Sequence, residues 1–294
     1  MDIETITYEG WENCIRVSNG LVELVATTDV GPRIVDFRPV DGENVFFLDE
    51  DAAGKTGGEE WELYGGHRLW HSPEDDFRTY QPDNEAVEVE TTERGCRLVQ
   101  PVEDETGIRK AIEVKMAPDE PTVAITHELT NEGVWSVELA PWAISVCEPG
   151  GTAVVPFPGG DPGGLLPDRS LVFWPYTDPS DDRLSYVDDH VLVEQAEGPE
   201  MKVGTNALEG WAAYVNDGQA FVKTFDHDPD AIYPDRGSSV EVYTLDFMLE
   251  LETLGPLVEL EPGETASHTE RWHLFEDIEE PEDGGEAAAL APDA

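Results

Sequence analysis

Short runs rich in Val, Ile, Thr, Trp and Phe alternate along this chain with clusters of Gly, Pro, Asn and Asp, and helix-period patterns are scarce. Apolar positions that recur at every second residue describe strands with one face buried, and breakers between them describe turns. The runs predict strands at 13–18, 21–27, 33–37, 86–91, 95–101, 109–117, 121–130 and 135–147, then near 170–174, 189–195, 211–216, 219–225, 239–252, 256–260 and 265–275. This is too many for one small sandwich of about 100 residues. No Pro/Gly linker divides the chain into two equal halves, so the pattern predicts an all-β protein, one large antiparallel two-sheet sandwich over residues 1–278.

Turn chemistry refines the outline. Asn19-Gly20 lies between two apolar runs, where Asn-Gly supplies the positive φ angles of a type I′ hairpin. Residues 148–168 carry many glycines and prolines and predict a long ordered loop over one end of the sandwich. From Glu279 onward the chain is acidic, small and poor in aromatics, which predicts a disordered tail over 279–294.

Charge bears on the environment rather than the fold. Lys and Arg number 17 against 65 Asp and Glu, a formal net charge of -48 over 294 residues with a pI near 4.1. Such a surface repels itself in dilute buffer, whereas at about 1 M salt the Debye length falls to roughly 3 Å and the repulsion is screened. The expectation is a cytoplasmic protein of an extreme halophile, repelled by nucleic acid and anionic membranes. With 39% hydrophobic residues the chain is not a disordered polyanion. Cys14, Cys96 and Cys147 follow no metal-ligand spacing and are assigned to a reduced core. No apolar run is long enough to span a membrane, and residues 1–11 lack the basic and apolar regions of a signal peptide.

Acids are so common that a carboxylate near a motif signifies little, and cations and histidines become the informative residues. Residues 61–74, WELYGGHRLWHSPE, hold two of the seven histidines and two of the eight tryptophans, a cluster suited to a pocket that stacks on and hydrogen-bonds a polar ligand. Arg33, Arg68, Arg169 and Arg236 occur in the short Gly- or Pro-containing segments Gly-Pro-Arg, Gly-His-Arg, Pro-Asp-Arg and Pro-Asp-Arg-Gly, and each is a candidate partner of a buried acid or a ligand. Trp70, Trp142 and Trp174 offer flat faces on which a ligand can stack, with core packing as the competing reading. Asp235 or Arg236 could reach a ligand from the loop Tyr233-Pro234-Asp235-Arg236-Gly237. Lys202 and Lys223 stand out only because lysine is rare. In a strand near the C-terminus, Met248, Glu250 and Glu252 would share one face and Phe247, Leu249 and Leu251 the other. His67 and His71 share a face in an extended segment, but spacing identifies no third ligand and argues against zinc.

Four segments, VSNGLVELVATTDVGPRIVDF at Val17 to Phe37, YGGHRLWHSPE ending at Glu74, LTNEGVWSVELAPWA at Leu129 to Ala143 and LELETLGPL at Leu249 to Leu257, together resemble the galactose mutarotase-like superfamily, in particular an uncharacterised branch classed as a domain of unknown function. The resemblance spans residues 12 to about 275. It implies a β-supersandwich whose concave sheet binds a sugar, with Glu252 matching the glutamate that takes the proton from the anomeric hydroxyl. Catalytic mutarotases carry an acid histidine after the strand that matches Leu129-Thr130-Asn131; here that region reads Leu139-Ala140-Pro141-Trp142-Ala143-Ile144-Ser145, without histidine, and His127 lies upstream. Two readings follow. In one, Glu252 is the base, His67 or His71 the acid, and Arg33 and Arg68 orient hydroxyls in an aldose 1-epimerase-like reaction, which needs no cofactor. In the other, the same pocket binds or senses a sugar without chemistry.

Overall fold

The computed structural model describes residues 1–157 and 163–292. Two antiparallel sheets account for nearly all of its regular structure. The first runs β1 (Asp2–Tyr8), β2 (Trp11–Ser18), β3 (Val22–Thr27), β4 (Arg33–Pro39), β5 (His67–Ser72), β10 (Val137–Cys147), β19 (Met248–Leu254), β18 (Val240–Leu245), β15 (Met201–Thr205) and β12 (Leu171–Phe173), with β20 (Val258–Leu260) paired to the start of β10. The second runs β13 (Leu184–Val187), β14 (His190–Glu194), β11 (Thr152–Pro156), β16 (Trp211–Asn216), β17 (Gln219–Phe225), β21 (Thr265–Glu276), β9 (Thr122–Asn131), β8 (Ile108–Met116), β7 (Gly95–Val99) and β6 (Glu88–Thr92).

The sheets close on a shared core. Val17, Leu24, Phe37, Leu69, Leu249 and Leu251 of the first meet Ile112, Ile125, Phe221 and Trp272 of the second. Phe37, Phe46 and Phe221 each place a ring 5.4–5.5 or 6.0 Å from another ring in a cluster around Trp272, near the separation aromatic pairs favour. The predicted two-sheet architecture is what the structure has.

The differences lie where periodicity was weak. The run predicted at 239–252 is the hairpin β18–β19, because Asp246-Phe247 turn the chain. β1, β5, β13 and β15 were not predicted as strands; in β5 all six residues are buried, two His and an Arg among them, so it shows no apolar/polar alternation. Gly65 and Gly66 lead into it at φ 85° and 68°; a Cβ would fall 2.2 Å from the Phe47 carbonyl and 2.3 Å from that of Ile34, so glycine is required at both. Within 148–168, predicted as one loop, Thr152–Pro156 form a fully buried strand between β14 and β16; residues 158–162 lie outside the described residues.

Asn19-Gly20 is not a type I′ turn, since only Gly20 has positive φ. The Asn19 side chain organises this loop, accepting from the Leu21 and Val22 amides and donating to the carbonyls of Ala117 and Glu120. Nor does the predicted tail stay unstructured up to residue 292. Asp283 caps a helix at Gly284–Ala288, and Ala287 and Leu290 bury themselves against the outer side of β16 and β17 beside Trp211 and Val222. Ile278 and Ala291 pack against the same cluster, so an acidic segment whose composition suggests disorder docks through a few apolar residues.

Candidate functional site

Alternation fixes what each residue of the central strands faces. In β19, Leu249 and Leu251 enter the inter-sheet core, and Met248 and Glu250 line a cavity of about 370 Å³ on the outer face of the first sheet. In β5, Leu69 enters the core while Arg68 and Trp70 face the same cavity. Pairing sets Arg68 opposite Ile144, Ile144 opposite Glu252 and Glu252 opposite Glu241, one row across four strands. A second row joins Val146, Glu250, Tyr243 and Lys202.

Aromatic side chains build the walls. Trp61, Trp70, Tyr80 and Trp142 form an edge-to-face group with ring centres 4.9–5.7 Å apart. Trp174, Tyr176 and Tyr243 line the cavity as well, with Tyr176 and Tyr243 edge to face at 6.4 Å. The Arg68 guanidinium lies 4.3 Å from the centre of Trp70 and donates to Glu250 at 2.9 Å. Among the described residues its buried Nε and Nη1 have no hydrogen-bond partner.

Beneath this floor lies a charged triad. The Lys202 ammonium sits 2.8 Å from Glu241 and 2.8 Å from Glu252, all three being buried, and it touches Trp142 and Trp174 at 4.5 and 4.9 Å from the ring centres. Trp142 Nε1 donates to the same Glu252 oxygen that holds Lys202, at 2.6 Å. Burial raises the Glu252 pKa, with the Glu250 charge adding to it and Lys202 and the Trp142 hydrogen bond opposing. Burial raises Glu241 much further, helped by the charges of Glu252 and Asp235. For Lys202, burial alone would lower the pKa, but its two carboxylates together raise it.

The structure thus brings Arg68, Trp70, Trp142, Trp174 and Glu250 into one cavity and leaves the other candidates outside it. Glu252 is on the correct side of the sheet but fully buried, behind Trp142 and Lys202. Arg33 is spent on Asp83 at 2.7 Å and on the Gly65 carbonyl, and stacks on Tyr64. Asp235 accepts from Ser72 at 3.3 Å and does not line the cavity; it and Arg236 adopt left-handed φ angles of 48° and 65° in an irregular turn at Pro234–Gly237.

His67 and His71 do share a face, but it is the one turned to the second sheet, which corrects the expectation that either stands beside Glu252. His67 bonds Ser145 through Nδ1 and His127 Nε2 through Nε2, at 2.8 and 2.7 Å, and burial holds its pKa well below the usual value. Burial likewise lowers His71, to about 4. His127 is fixed by its Nδ1 on the His268 carbonyl, and with Glu270 it completes a fully buried His67–His127–Glu270 group whose ligand atoms lie within 4.8 Å of one another, a third partner that spacing could not reveal. A cation's electrostatic place there is already taken: Lys223 sits 3.0 Å from Glu270, Trp272 Nε1 donates to its other oxygen at 2.6 Å, and the two imidazoles bond each other.

Sequence reasoning marked the block that holds Trp61 but missed Tyr80, Tyr176 and Tyr243 in the walls and the role of Lys202. The available signal was the scarcity of lysine, since three of the five, Lys110, Lys202 and Lys223, are buried in ion pairs. Cys14, Cys96 and Cys147 are buried free thiols, and among the described residues no helix is long and apolar enough to cross a membrane.

No family model and no curated protein sequence matches the chain. Solved structures do. A galactose mutarotase-like protein of Lactobacillus casei superposes with a TM-score of 0.56 at 10% identity, covering 90% of this chain and 100% of its own. A similar protein of Clostridium acetobutylicum gives 0.55 at 12%, covering 93% and 98%. A candidate aldose 1-epimerase of Klebsiella pneumoniae gives 0.60 at 12%, covering 98% and 85%. At these identities the likeness concerns the backbone, and this chain has the two-sheet fold of the galactose mutarotase-like proteins.

Proposed function

We propose that this protein binds a carbohydrate in the aromatic cavity over β5, β10, β19 and β15, and that it does so without interconverting anomers. The observation that carries the reading is the division of labour across the sheet. Groups suited to holding a sugar line the cavity: flat faces of Trp70, Trp142 and Trp174, and an Arg68 whose Nε and Nη1 have no hydrogen-bond partner among the described residues. Groups suited to proton transfer are withdrawn from it. One Glu252 oxygen is held by Trp142 and Lys202, and His67 and His71 face the other way. A general base must come within hydrogen-bond reach of its proton, which the walled-off Glu252 does not. The fold shared with mutarotase-like proteins supports a sugar as the ligand, and the charge of -48 supports a salt-rich cytoplasm as its setting.

Thermal denaturation with a panel of aldoses, combined with polarimetry in concentrated potassium chloride, tests this. Sugars should raise the melting temperature of wild type and of Glu252→Gln, while optical rotation relaxes at the buffer rate with both. Mutarotation accelerated by wild type and abolished in Glu252→Gln would overturn the non-catalytic reading and restore the epimerase-like one, toward which the raised Glu252 pKa points.

A further inference from the structure

The charges around the cavity narrow the ligand beyond a sugar in general, and the inference rests on the carbohydrate reading above. Two cations, Arg68 and Lys202, line the space. Five carboxylates surround it: Glu74, Glu200 and Glu250 in the lining, and Glu241 and Glu252 directly behind Lys202. Arg68 is matched by Glu250 and Lys202 is matched twice over. No lining cation remains uncompensated, so a phosphate or carboxylate on the ligand would meet excess negative charge.

Salt adaptation explains exposed acids such as Glu74 and Glu200. It does not explain Glu241, Glu250 and Glu252, which are 0–7% exposed, because buried charge is costly unless paired. Three buried carboxylates share two buried cations, which leaves one negative charge over. Burial and the neighbouring charges of Glu252 and Asp235 push the Glu241 pKa up, in keeping with acid that is not fully paired there. A ligand cation could offset that charge.

The surrounding rings suit a cation too. Trp142 and Trp174 already flank the Lys202 ammonium, and the rings of Trp61, Trp70, Tyr176 and Tyr243 that line the same cavity attract positive charge in the same way. At the mouth Glu74 and Glu200 each accept a hydrogen bond from a lining tyrosine, Tyr80 at 2.6 Å and Tyr243 at 3.4 Å, which sets a carboxylate beside an aromatic ring on both sides.

We propose that the cavity selects a sugar bearing a free, protonated amino group over neutral sugars, and rejects sugar acids and sugar phosphates. The aromatic faces take the ring, Arg68 donates to hydroxyl oxygens, and the lining carboxylates Glu74, Glu200 and Glu250 draw the ammonium, with the buried charge of Glu241 and Glu252 adding to the field behind them.

Isothermal titration at fixed ionic strength, with glucosamine and galactosamine, their N-acetyl counterparts, glucose, galactose and glucuronate, together with tetramethylammonium as a sugar-free cation, tests the proposal. The free amines should bind about tenfold more tightly than the N-acetyl sugars, the scale of a cation contact with rings and carboxylates. The margin should shrink as pH rises and the amine loses its proton. Equal affinity for amino and N-acetyl sugars, or tightest binding by glucuronate, overturns the proposal and leaves the carbohydrate reading standing. Binding of tetramethylammonium while no sugar binds overturns the proposal together with the carbohydrate reading it rests on, and leaves a cavity for a simple organic cation. Silence from every probe removes both.

Discussion

Replacing Lys202 with methionine tests the electrostatic core of the site. Methionine keeps much of the apolar stem against Trp142 and Trp174 but removes the ammonium that holds Glu241 and Glu252 at 2.8 Å each. Two carboxylates with no exposed surface then face each other without a counterion, and stranding a buried charge in this way costs about 3–5 kcal/mol. Each loses its principal charge partner, so both pKa values should rise further and the loss should be greatest near neutral pH. The assay is chemical denaturation followed by Trp fluorescence in concentrated salt, at pH 7.5 and pH 5. Lys202→Met should lower stability by about 3 kcal/mol or more at pH 7.5 and by clearly less at pH 5, where protons replace the missing cation. Adding Glu252→Gln to Lys202→Met should recover part of the loss. A loss below about 1 kcal/mol that does not vary with pH would mean that water reaches the triad, and would refute the view of Glu252 as a buried, committed group.

Trp174→Ala should weaken sugar binding about tenfold, as measured by the ligand-induced shift in melting temperature, while leaving the ligand-free melting temperature near that of wild type, because Trp174 belongs to no core cluster. Burial lowers His71 from 6.5 to about 4, so the unfolded chain binds its proton more readily. The stability this neutral histidine provides is complete above pH 6.5 and is lost as pH falls toward 4, by roughly 3 kcal/mol. Comparing His71→Gln with wild type across that range isolates the effect from the surface acids: the stability of wild type relative to the variant should fall with pH, and a constant difference would contradict the assignment. Leu290→Ala should cost about 2 kcal/mol through the cavity it leaves beside the β16–β17 surface, and limited proteolysis should then cut within 279–292 more readily than in wild type. Gly66→Ala should unfold the protein or lower its melting temperature sharply, since its Cβ would fall 2.3 Å from the Ile34 carbonyl at a φ of 68°.

Much of this was legible in the chain. Alternating apolar positions and regular breakers determined an all-β sandwich, and β16, β17 and most of β8, β9, β10 and β21 follow from them, because a period of two is a local property of a half-buried strand. The block around Arg68 and Trp70 was marked by scarce residue types, and alternation put Met248 and Glu250 on one side and Leu249 and Leu251 on the other. Sequence could not show which side of β5 becomes the interior. Pairing with β4 and β10 decided that: it turned His67 toward Trp272 and His71 toward Lys110, both on the side of the second sheet, and turned Arg68 and Trp70 outward. Nor could it show that Lys202 would neutralise Glu252, because those residues lie 50 positions apart and meet only when β15, β18 and β19 align. Strand periodicity is encoded locally and can be read from the chain, whereas the charge partner of a buried glutamate is set by register between distant strands, and it is this partner that decides whether Glu252 is free to take a proton.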